Sequence, residues 1–147
     1  MRSRAVIFDL DGTLLDSLAD IGESMNSVLA SMGLATHPLS DYRAFVGDGV
    51  AMLARRALPE GHRDAATLDA CLAGMRETYA GRATNKTRPY DGIPGLLDSL
   101  EQACLPMAVV SNKPHDLTCR LVAELLGRWH FGAVFGERTG VPRKPDP

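Results

Sequence analysis

Two aspartates, two positions apart, follow the first apolar segment of the chain. Residues 5–8 read Ala-Val-Ile-Phe, and Asp9-Leu10-Asp11-Gly12 comes directly after them. The apolar run predicts a short buried strand of a parallel sheet, and the glycine predicts a turn at its end. In an extended chain the side chains of Asp9 and Asp11 leave the same face. Two neighbouring carboxylates are costly unless a cation joins them, and a hard cation such as Mg²⁺ takes oxygen ligands.

The position of these two acids suits phosphoryl transfer. Ligands of open α/β sheets bind just past the carboxyl ends of the strands. Phosphoryl transfer needs a nucleophile, an acid/base and positive charge around the oxygens. Asp9 suits the nucleophile, since a carboxylate can form an aspartyl-phosphate. Asp11 suits the acid/base, which protonates the leaving oxygen and then takes a proton from water. The structural alternative is a strand followed by an ordinary Asp-Gly turn.

A hydroxyl follows a second apolar segment. Residues 106–110 are apolar and predict a second strand that ends at Ser111, on the same sheet edge as Asp9. Ser111 can bond a phosphoryl oxygen, and a helix starting near Pro114 would point free backbone amides at the phosphate. Asn112 is a weaker candidate for the same task, because a Ser-Asn helix start is also common as capping. Lys113 is interpreted equally well as a solvated lysine.

The run from Asp9 to Ser17 resembles the first signature of the haloacid dehalogenase-like hydrolases. Residues 111–114, Ser-Asn-Lys-Pro, resemble the second signature of that family, and Lys144 within residues 143–147 resembles the third. The resemblance implies the nucleophile and acid/base roles for Asp9 and Asp11. It also implies Mg²⁺ on the Asp9 carboxylate and on the Asp11 backbone carbonyl. Thr13 matches the family's threonine, which orders the loop and holds the neighbouring acid.

Lys144 completes the predicted catalytic set. A lysine at this place would neutralise the nucleophile and the phosphate together. The alternative is a basic residue in a surface loop. Because two earlier signatures precede Lys144 in the family's order, the functional interpretation is favoured. Lys86, Lys113 and Lys144 are the only lysines in the sequence, so each is easier to assign.

The predicted elements describe an α/β protein with a helical insertion. Apolar residues at helical spacing predict helices near 17–33, 50–58 and 68–81, and residues 82–88 read as a linker. The order then becomes helix 94–103, strand 106–111, helix 117–127 and strand 133–136, which implies a parallel sheet. The prediction is a Rossmann-like core of residues 1–16 and 89–147, carrying an all-helical cap at 17–88. The family resemblance implies the same architecture.

A glycine-rich loop in the predicted cap resembles that of the phosphoglycolate phosphatase-like subgroup. The loop is Val46-Gly47-Asp48-Gly49, and residues 88–92, Arg-Pro-Tyr-Asp-Gly, also resemble that subgroup. Gly47, Asp48 and Gly49 can offer backbone amides to a substrate carboxylate, and Arg43 can pair with the same group. A helix-breaking turn with a surface arginine is the equal alternative. The predicted substrate is a small phosphorylated metabolite, and 2-phosphoglycolate is the first candidate.

Other activities of the superfamily are weighed on single residues. A dehalogenase needs no second acid at Asp11, because halide leaves without a proton. The family's phosphonatase uses a cap lysine, whereas the only lysine before the second strand is Lys86, in the linker. A sugar-phosphate phosphatase or mutase stays open.

The chain departs from the family pattern after Lys144. The family's fourth signature, a Gly-Asp with a further acid, follows another strand and completes the magnesium site, but this sequence ends at Pro147. Val6 and Phe8 would then lie on an unpaired sheet edge. The Mg²⁺ ion would have only one carboxylate ligand from the signatures. The favoured interpretation is that this sequence is part of a longer phosphatase. One alternative is an inactive binding or assembly module. Another is a partner chain, as in a homodimer, that supplies the missing strand.

Composition limits the remaining classes. The 147 residues are 45% hydrophobic and 23% charged, with a net charge of −2, so nothing points to a nucleic-acid or membrane partner. Cys71, Cys104 and Cys119 lack metal-type spacing and suit reduced thiols in a cytoplasmic protein. No apolar run is long enough for a signal-peptide core or a membrane span.

Overall fold

The computed structural model describes residues 5–146 and divides the chain into two compact units. One unit, the core, comprises the residues up to Asp16 and those from Arg88 onward. The other unit, the insertion, comprises Ser17–Thr87. The strands are β1 (Val6–Phe8), β2 (Leu15–Asp16), β3 (Arg88–Pro89), β4 (Met107–Pro114) and β5 (Ala133–Glu137). The α-helices are α1 (Leu18–Ser31), α2 (Tyr42–Phe45), α3 (Val50–Ala57), α4 (Ala65–Ala80), α5 (Ile93–Gln102) and α6 (His115–Leu126).

A parallel three-stranded sheet organises the core. The strand order is β1-β4-β5, with Val6 opposite Met107 and Ala108 opposite Ala133. The predicted α/β class is confirmed. In the described residues β1 lies at one edge of this sheet, and Ile7 in its middle is 69% exposed. Helices α5 and α6 lie between the strands in sequence, as the alternating apolar patterns predict.

The prediction that the second strand ends at Ser111 is wrong, because β4 continues to Pro114. The β4–β5 pairing changes register between Val110 and Pro114. Such an irregularity re-aims side chains along a strand. Accordingly Ser111, Asn112 and Lys113 are all buried, without the in-and-out alternation of a regular strand. Helix α6 begins one residue after Pro114, close to the predicted start.

A second, two-stranded sheet marks the chain ends of the insertion. Strand β2 pairs antiparallel with β3, which places Leu15 opposite Pro89 and Asp16 opposite Arg88. The sequence pattern predicts a linker that includes Arg88 and does not predict this pairing. Two-residue strands are too short to show an alternating pattern. The pairing brings the chain leaving the core next to the chain that returns to it.

Helices build the insertion, as predicted. Helices α1 and α4 pack against each other, with Met25, Cys71 and Met75 buried. Gly74 allows their close approach, because a Cβ there would lie 3.1 Å from Val28 Cγ1. Tyr42 of α2 is fully buried and its hydroxyl donates to Asn26 Oδ1 over 2.7 Å. None of the helices in residues 5–146 has the length and apolar character needed to cross a bilayer.

A buried aspartate joins the two ends of the insertion. Asp20, in the first turn of α1, is 2% exposed. Its Oδ2 accepts hydrogen bonds from the backbone N–H groups of Lys86 and Thr87, each over 2.8 Å, and from Thr87 Oγ1 over 2.7 Å. Because three donors converge on one carboxylate, the start of α1 is tied to the last residues of the insertion.

Candidate active site

A tight turn fixes the two aspartates after β1. The carbonyl of Leu10 accepts from the N–H groups of Thr13, Leu14 and Leu15, over 3.3, 3.0 and 3.0 Å. Gly12 has φ +79°, a conformation that a residue with a Cβ rarely adopts, which explains the glycine at this position. Leu10, Leu14 and Leu15 are fully buried. The turn is therefore anchored in the core, while Asp9 and Asp11 are left partly accessible.

Lys144 contacts the predicted nucleophile. Its Nζ lies 2.8 Å from Asp9 Oδ1 and donates to the carbonyl of Val110 over 2.7 Å. The Lys144 and Asp9 side chains are 36% and 41% exposed, so the pair lies at the surface of the core. One ammonium group thus links the carboxyl end of β1 to β4. A cation in this place can neutralise an attacking carboxylate and an incoming phosphoryl group.

Asn112 holds the backbone of Lys144. Its Oδ1 accepts from Lys144 N over 2.9 Å, and its Nδ2 donates to Lys144 O over 3.3 Å. Asn112 is 9% exposed and sits on β4, inside the core. A side-chain amide that pairs with both backbone groups of one residue fixes that residue's position. The structure therefore gives Asn112 a positioning contact; its contact with a substrate stays a prediction.

Lys113 pairs with the second aspartate. Its Nζ lies 2.8 Å from Asp11 Oδ1 and 2.9 Å from Asp11 Oδ2. The Lys113 side chain is 5% exposed and that of Asp11 is 13% exposed. The interpretation of Lys113 as a solvated lysine is wrong. The sequence signal was available but weak: one of three lysines in the chain directly follows a predicted strand and the Ser-Asn pair.

Two further predicted residues lie close to this group in the chain. Ser111, 6% exposed, accepts a hydrogen bond at Oγ from Lys113 N over 3.2 Å. Thr13 is exposed within the turn that follows β1. Their predicted contacts, with a phosphoryl oxygen and with the loop acid, stay predictions.

Arg56, which no motif in the sequence indicates, holds the glycine-rich loop of the insertion. Arg56 on α3 pairs with Asp48 Oδ2 over 2.5 Å and donates to the carbonyl of Phe45 over 3.1 Å. Gly47 and Gly49 have φ +127° and +86°, so both need glycine. Arg43 is an exposed residue of α2. The loop is thus a fixed turn of the insertion, and the substrate contacts of Arg43 and residues 47–49 stay predictions.

The oxygen donors in the core suit a hard cation. Mg²⁺ usually keeps several waters and binds through one or two carboxylates together with substrate phosphates. The Asp9 carboxylate is 41% exposed and so accessible to a hydrated ion. Among residues 5–146 no group of three or more histidine, cysteine, aspartate or glutamate side chains is arranged to hold a metal. A site on Asp9 and the Asp11 carbonyl would therefore depend largely on water and substrate oxygens.

A parallel sheet whose first strand is followed by two aspartates, each paired with a lysine, defines an α/β protein with a phosphoryl-transfer type of site. The family comparison agrees with this class. The model of the haloacid dehalogenase-like hydrolases matches residues 6–147, and the chain belongs to that family.

Two curated relatives are named phosphoglycolate phosphatases. A phosphoglycolate phosphatase of Psychrobacter arcticus is 34% identical, over 100% of this chain and 66% of its own length. Phosphoglycolate phosphatase 1 of Pseudomonas aeruginosa is 37% identical, over 98% of this chain and 54% of its own length. The chain thus spans between about half and two thirds of the length of these relatives.

Solved structures share the fold. A protein of Lactobacillus delbrueckii subsp. bulgaricus superposes with a TM-score of 0.90 at 31% identity, over 99% of this chain and 69% of that one. Protein Tyrosine Kinase A of Mycobacterium tuberculosis superposes with a TM-score of 0.80 at 28% identity, over 95% and 62% of the two chains. Because proteins with such different names share this fold, the fold alone does not define the activity.

Proposed function

We propose that the protein is a Mg²⁺-dependent phosphatase that hydrolyses a small phosphomonoester through an aspartyl-phosphate on Asp9. The first candidate substrate is 2-phosphoglycolate. The observation that carries this proposal is the contact of 2.8 Å between Lys144 Nζ and Asp9 Oδ1, with Asp11 two positions further along. A nucleophile, a cation and a second acid are the parts that phosphoryl transfer requires.

In the first step an oxygen of the Asp9 carboxylate bonds to phosphorus, and the ester P–O bond breaks. Asp11 gives its proton to the leaving alkoxide oxygen. In the second step a water oxygen bonds to phosphorus, Asp11 takes the proton, and the Asp9–phosphorus bond breaks. Lys144 balances the negative charge of Asp9 and the phosphoryl group in both steps. Mg²⁺, held by the Asp9 carboxylate and the Asp11 carbonyl, would supply positive charge to the phosphoryl oxygens.

Two features support 2-phosphoglycolate as the substrate. The curated relatives named phosphoglycolate phosphatase are 34–37% identical to this chain. The insertion also contains the fixed loop of Gly47, Asp48 and Gly49 with Arg43 nearby in sequence, and such groups suit a substrate carboxylate. A glycolate phosphate differs from sugar phosphates in carrying that carboxylate.

The test is phosphate release by the protein as its gene encodes it. The panel contains 2-phosphoglycolate, the methyl ester of its carboxyl group and two sugar phosphates. Each is measured with Mg²⁺ and with a chelator. We expect 2-phosphoglycolate to have the highest kcat/KM, the methyl ester to lose most of it, and the chelator to abolish turnover. Preference for a sugar phosphate would replace the substrate assignment. A folded protein with no turnover of any of them would favour a binding or assembly module.

The nucleophile has its own test. Asp9→Asn removes the attacking carboxylate oxygen, so we expect loss of measurable turnover with unchanged circular dichroism. Asp69→Asn, at an exposed position of α4, is the matched control and should retain full activity. Retained activity in the Asp9 variant would exclude Asp9 as the nucleophile.

A further inference from the structure

The ion pair of Lys113 and Asp11 is largely withdrawn from water within the core. Both Asp11 oxygens lie within 2.9 Å of one ammonium group, and the Lys113 side chain is 5% exposed. The surface pair of Lys144 and Asp9 is far more open, at 36% and 41%. A charged pair taken out of water is tolerated only with good geometry. Contacts to both oxygens of one carboxylate constrain the rotation of that carboxylate.

The backbone of Lys113 is itself fixed. Its N–H donates to Ser111 Oγ over 3.2 Å, and its carbonyl accepts from Thr118 Oγ1 over 3.2 Å. Gly136 of β5 packs so closely that a Cβ there would lie 2.5 Å from the Lys113 carbonyl oxygen. A lysine with a clamped backbone and a buried side chain differs from a mobile surface lysine, because its ammonium group can occupy few positions.

We propose that Lys113 is a positioning residue for Asp11, an inference that rests on the proposed function. Lys113 holds the Asp11 carboxylate in a single orientation at the end of β1, from which it can give and take protons at the reacting oxygens. The lysine acts through the aspartate and does not bind the phosphoryl group. Loss of Lys113 should therefore impair proton transfer and leave the attack of Asp9 on phosphorus intact.

Leaving-group chemistry separates these two effects. An alkoxide leaves only when Asp11 protonates it, whereas p-nitrophenolate leaves as a stable anion without a proton. For Lys113→Met we expect a fall in kcat of about 100-fold or more with 2-phosphoglycolate, within the range of general acid–base contributions. With p-nitrophenyl phosphate we expect a burst of one p-nitrophenolate per site, followed by slow turnover, because only the water step still needs Asp11.

A double-mutant cycle tests whether Lys113 acts through Asp11. The double variant should show the same residual kcat as Asp11→Asn alone, because the lysine has nothing to orient once the carboxylate is gone. The double variant also removes both charges of the pair, which avoids an unpaired buried carboxylate if Lys113→Met fails to fold. Lys113→Arg should restore part of the activity, since it keeps a donor and a charge.

Three results would overturn the proposal. Losses that multiply in the double variant would show that Lys113 acts independently of Asp11. A raised KM with unchanged kcat would indicate direct phosphate binding. Equal losses with both substrates and no burst would indicate a general structural defect.

Lys86→Met is the control: Lys86 is 55% exposed, pairs with Glu23 in the insertion, and should give wild-type kinetics. Absence of turnover in the wild-type protein would instead refute the proposed function and is read separately.

Discussion

The side chain of Lys144 lies 2.8 Å from Asp9 Oδ1, although 135 positions separate the two residues in the chain. The contact places the last predicted signature residue directly on the first. It also places one ammonium group between the Asp9 carboxylate and the Val110 carbonyl of β4, to which it donates over 2.7 Å. A single cation thereby joins the carboxyl end of β1 to the middle of the neighbouring strand β4.

Removal of this cation should affect catalysis much more than stability. For Lys144→Met we expect kcat to fall by about 10²–10³, the range for loss of one group that stabilises developing charge. The melting temperature should barely change, because an ion pair at this exposure contributes little to folding. The measurement is steady-state kinetics with 2-phosphoglycolate beside a thermal melt.

The adjacent arginine is the control for this change. Arg143 pairs with Glu137 and is 40% exposed, so Arg143→Met removes a similar charge one position away. It should retain activity within about twofold, in line with the small effects of most surface substitutions. Similar losses in both variants would show that general positive charge, and not the Lys144 contact, is what matters.

The local pattern predicted Asp9 and Asp11 because their chemistry lies in consecutive residues. An apolar run, two acids and a glycine lie within a few positions of one another in the sequence. The structure then gives that glycine φ +79°, as a turn requires. The parallel sheet followed from the alternation of apolar strands and helices. Ser111 was predicted from its place after an apolar run, and Lys144 from the resemblance of residues 143–147 to a signature of the family.

Lys113 and Asn112 could not be placed in the same way. The burial of both depends on the change of register between Val110 and Pro114, which arises from the pairing with β5. The hydrogen bonds between Asn112 and Lys144 span 32 positions of the chain. Strands β2 and β3 have two residues each, so no periodicity predicts them. These features come from contacts between distant segments, which a single sequence read locally does not contain.

Gly136 should be intolerant of a side chain. An added Cβ would lie 2.5 Å from the Lys113 carbonyl oxygen and 2.6 Å from His115 Cα. Because these atoms belong to the backbone, β5 or the start of α6 must shift, at a cost of about 1–3 kcal/mol. We expect Gly136→Ala to lower the free energy of unfolding by this amount, measured by urea denaturation, and to reduce kcat by disturbing Lys113.

Gly95 provides the matched glycine. It lies in α5 with nothing within 4 Å of an added Cβ. Alanine is the better helix former, so Gly95→Ala should raise the free energy of unfolding by up to about 1 kcal/mol. If Gly136→Ala proved as well tolerated as Gly95→Ala, the close packing of β5 against Lys113 would be refuted.

Asp20 should contribute strongly to the stability of the insertion. An asparagine at this position keeps one acceptor oxygen and places an amide N–H₂ where the Lys86 and Thr87 donors converge. Loss of buried hydrogen bonds to a charged group costs about 1.5–3 kcal/mol each, so we expect Asp20→Asn to destabilise by at least that much. Chemical denaturation of the variant measures the loss.

Thr87→Val divides this effect. It removes one donor to Asp20 and keeps the backbone donors, so its cost should be about 1 kcal/mol and smaller than that of Asp20→Asn. Amide hydrogen exchange in residues 18–31 should quicken in both variants, more in the aspartate variant. Unchanged exchange in α1 would show that Asp20 does not secure the start of that helix.

Tyr42 should make stability fall at alkaline pH. Burial, followed by the nearby Cys71 and Asp41, raises the pKa of Tyr42 above its ordinary value of 10.0. The unfolded chain therefore loses this proton at a lower pH than the folded chain, and binds fewer protons above about pH 10. Since stability falls with pH wherever the unfolded state binds fewer protons, the contribution of neutral Tyr42 is complete below pH 10 and lessens above it.

Urea midpoints from pH 8 to 11 should decline less in Tyr42→Phe than in the wild type. Parallel declines in the two proteins would assign the alkaline loss to other groups.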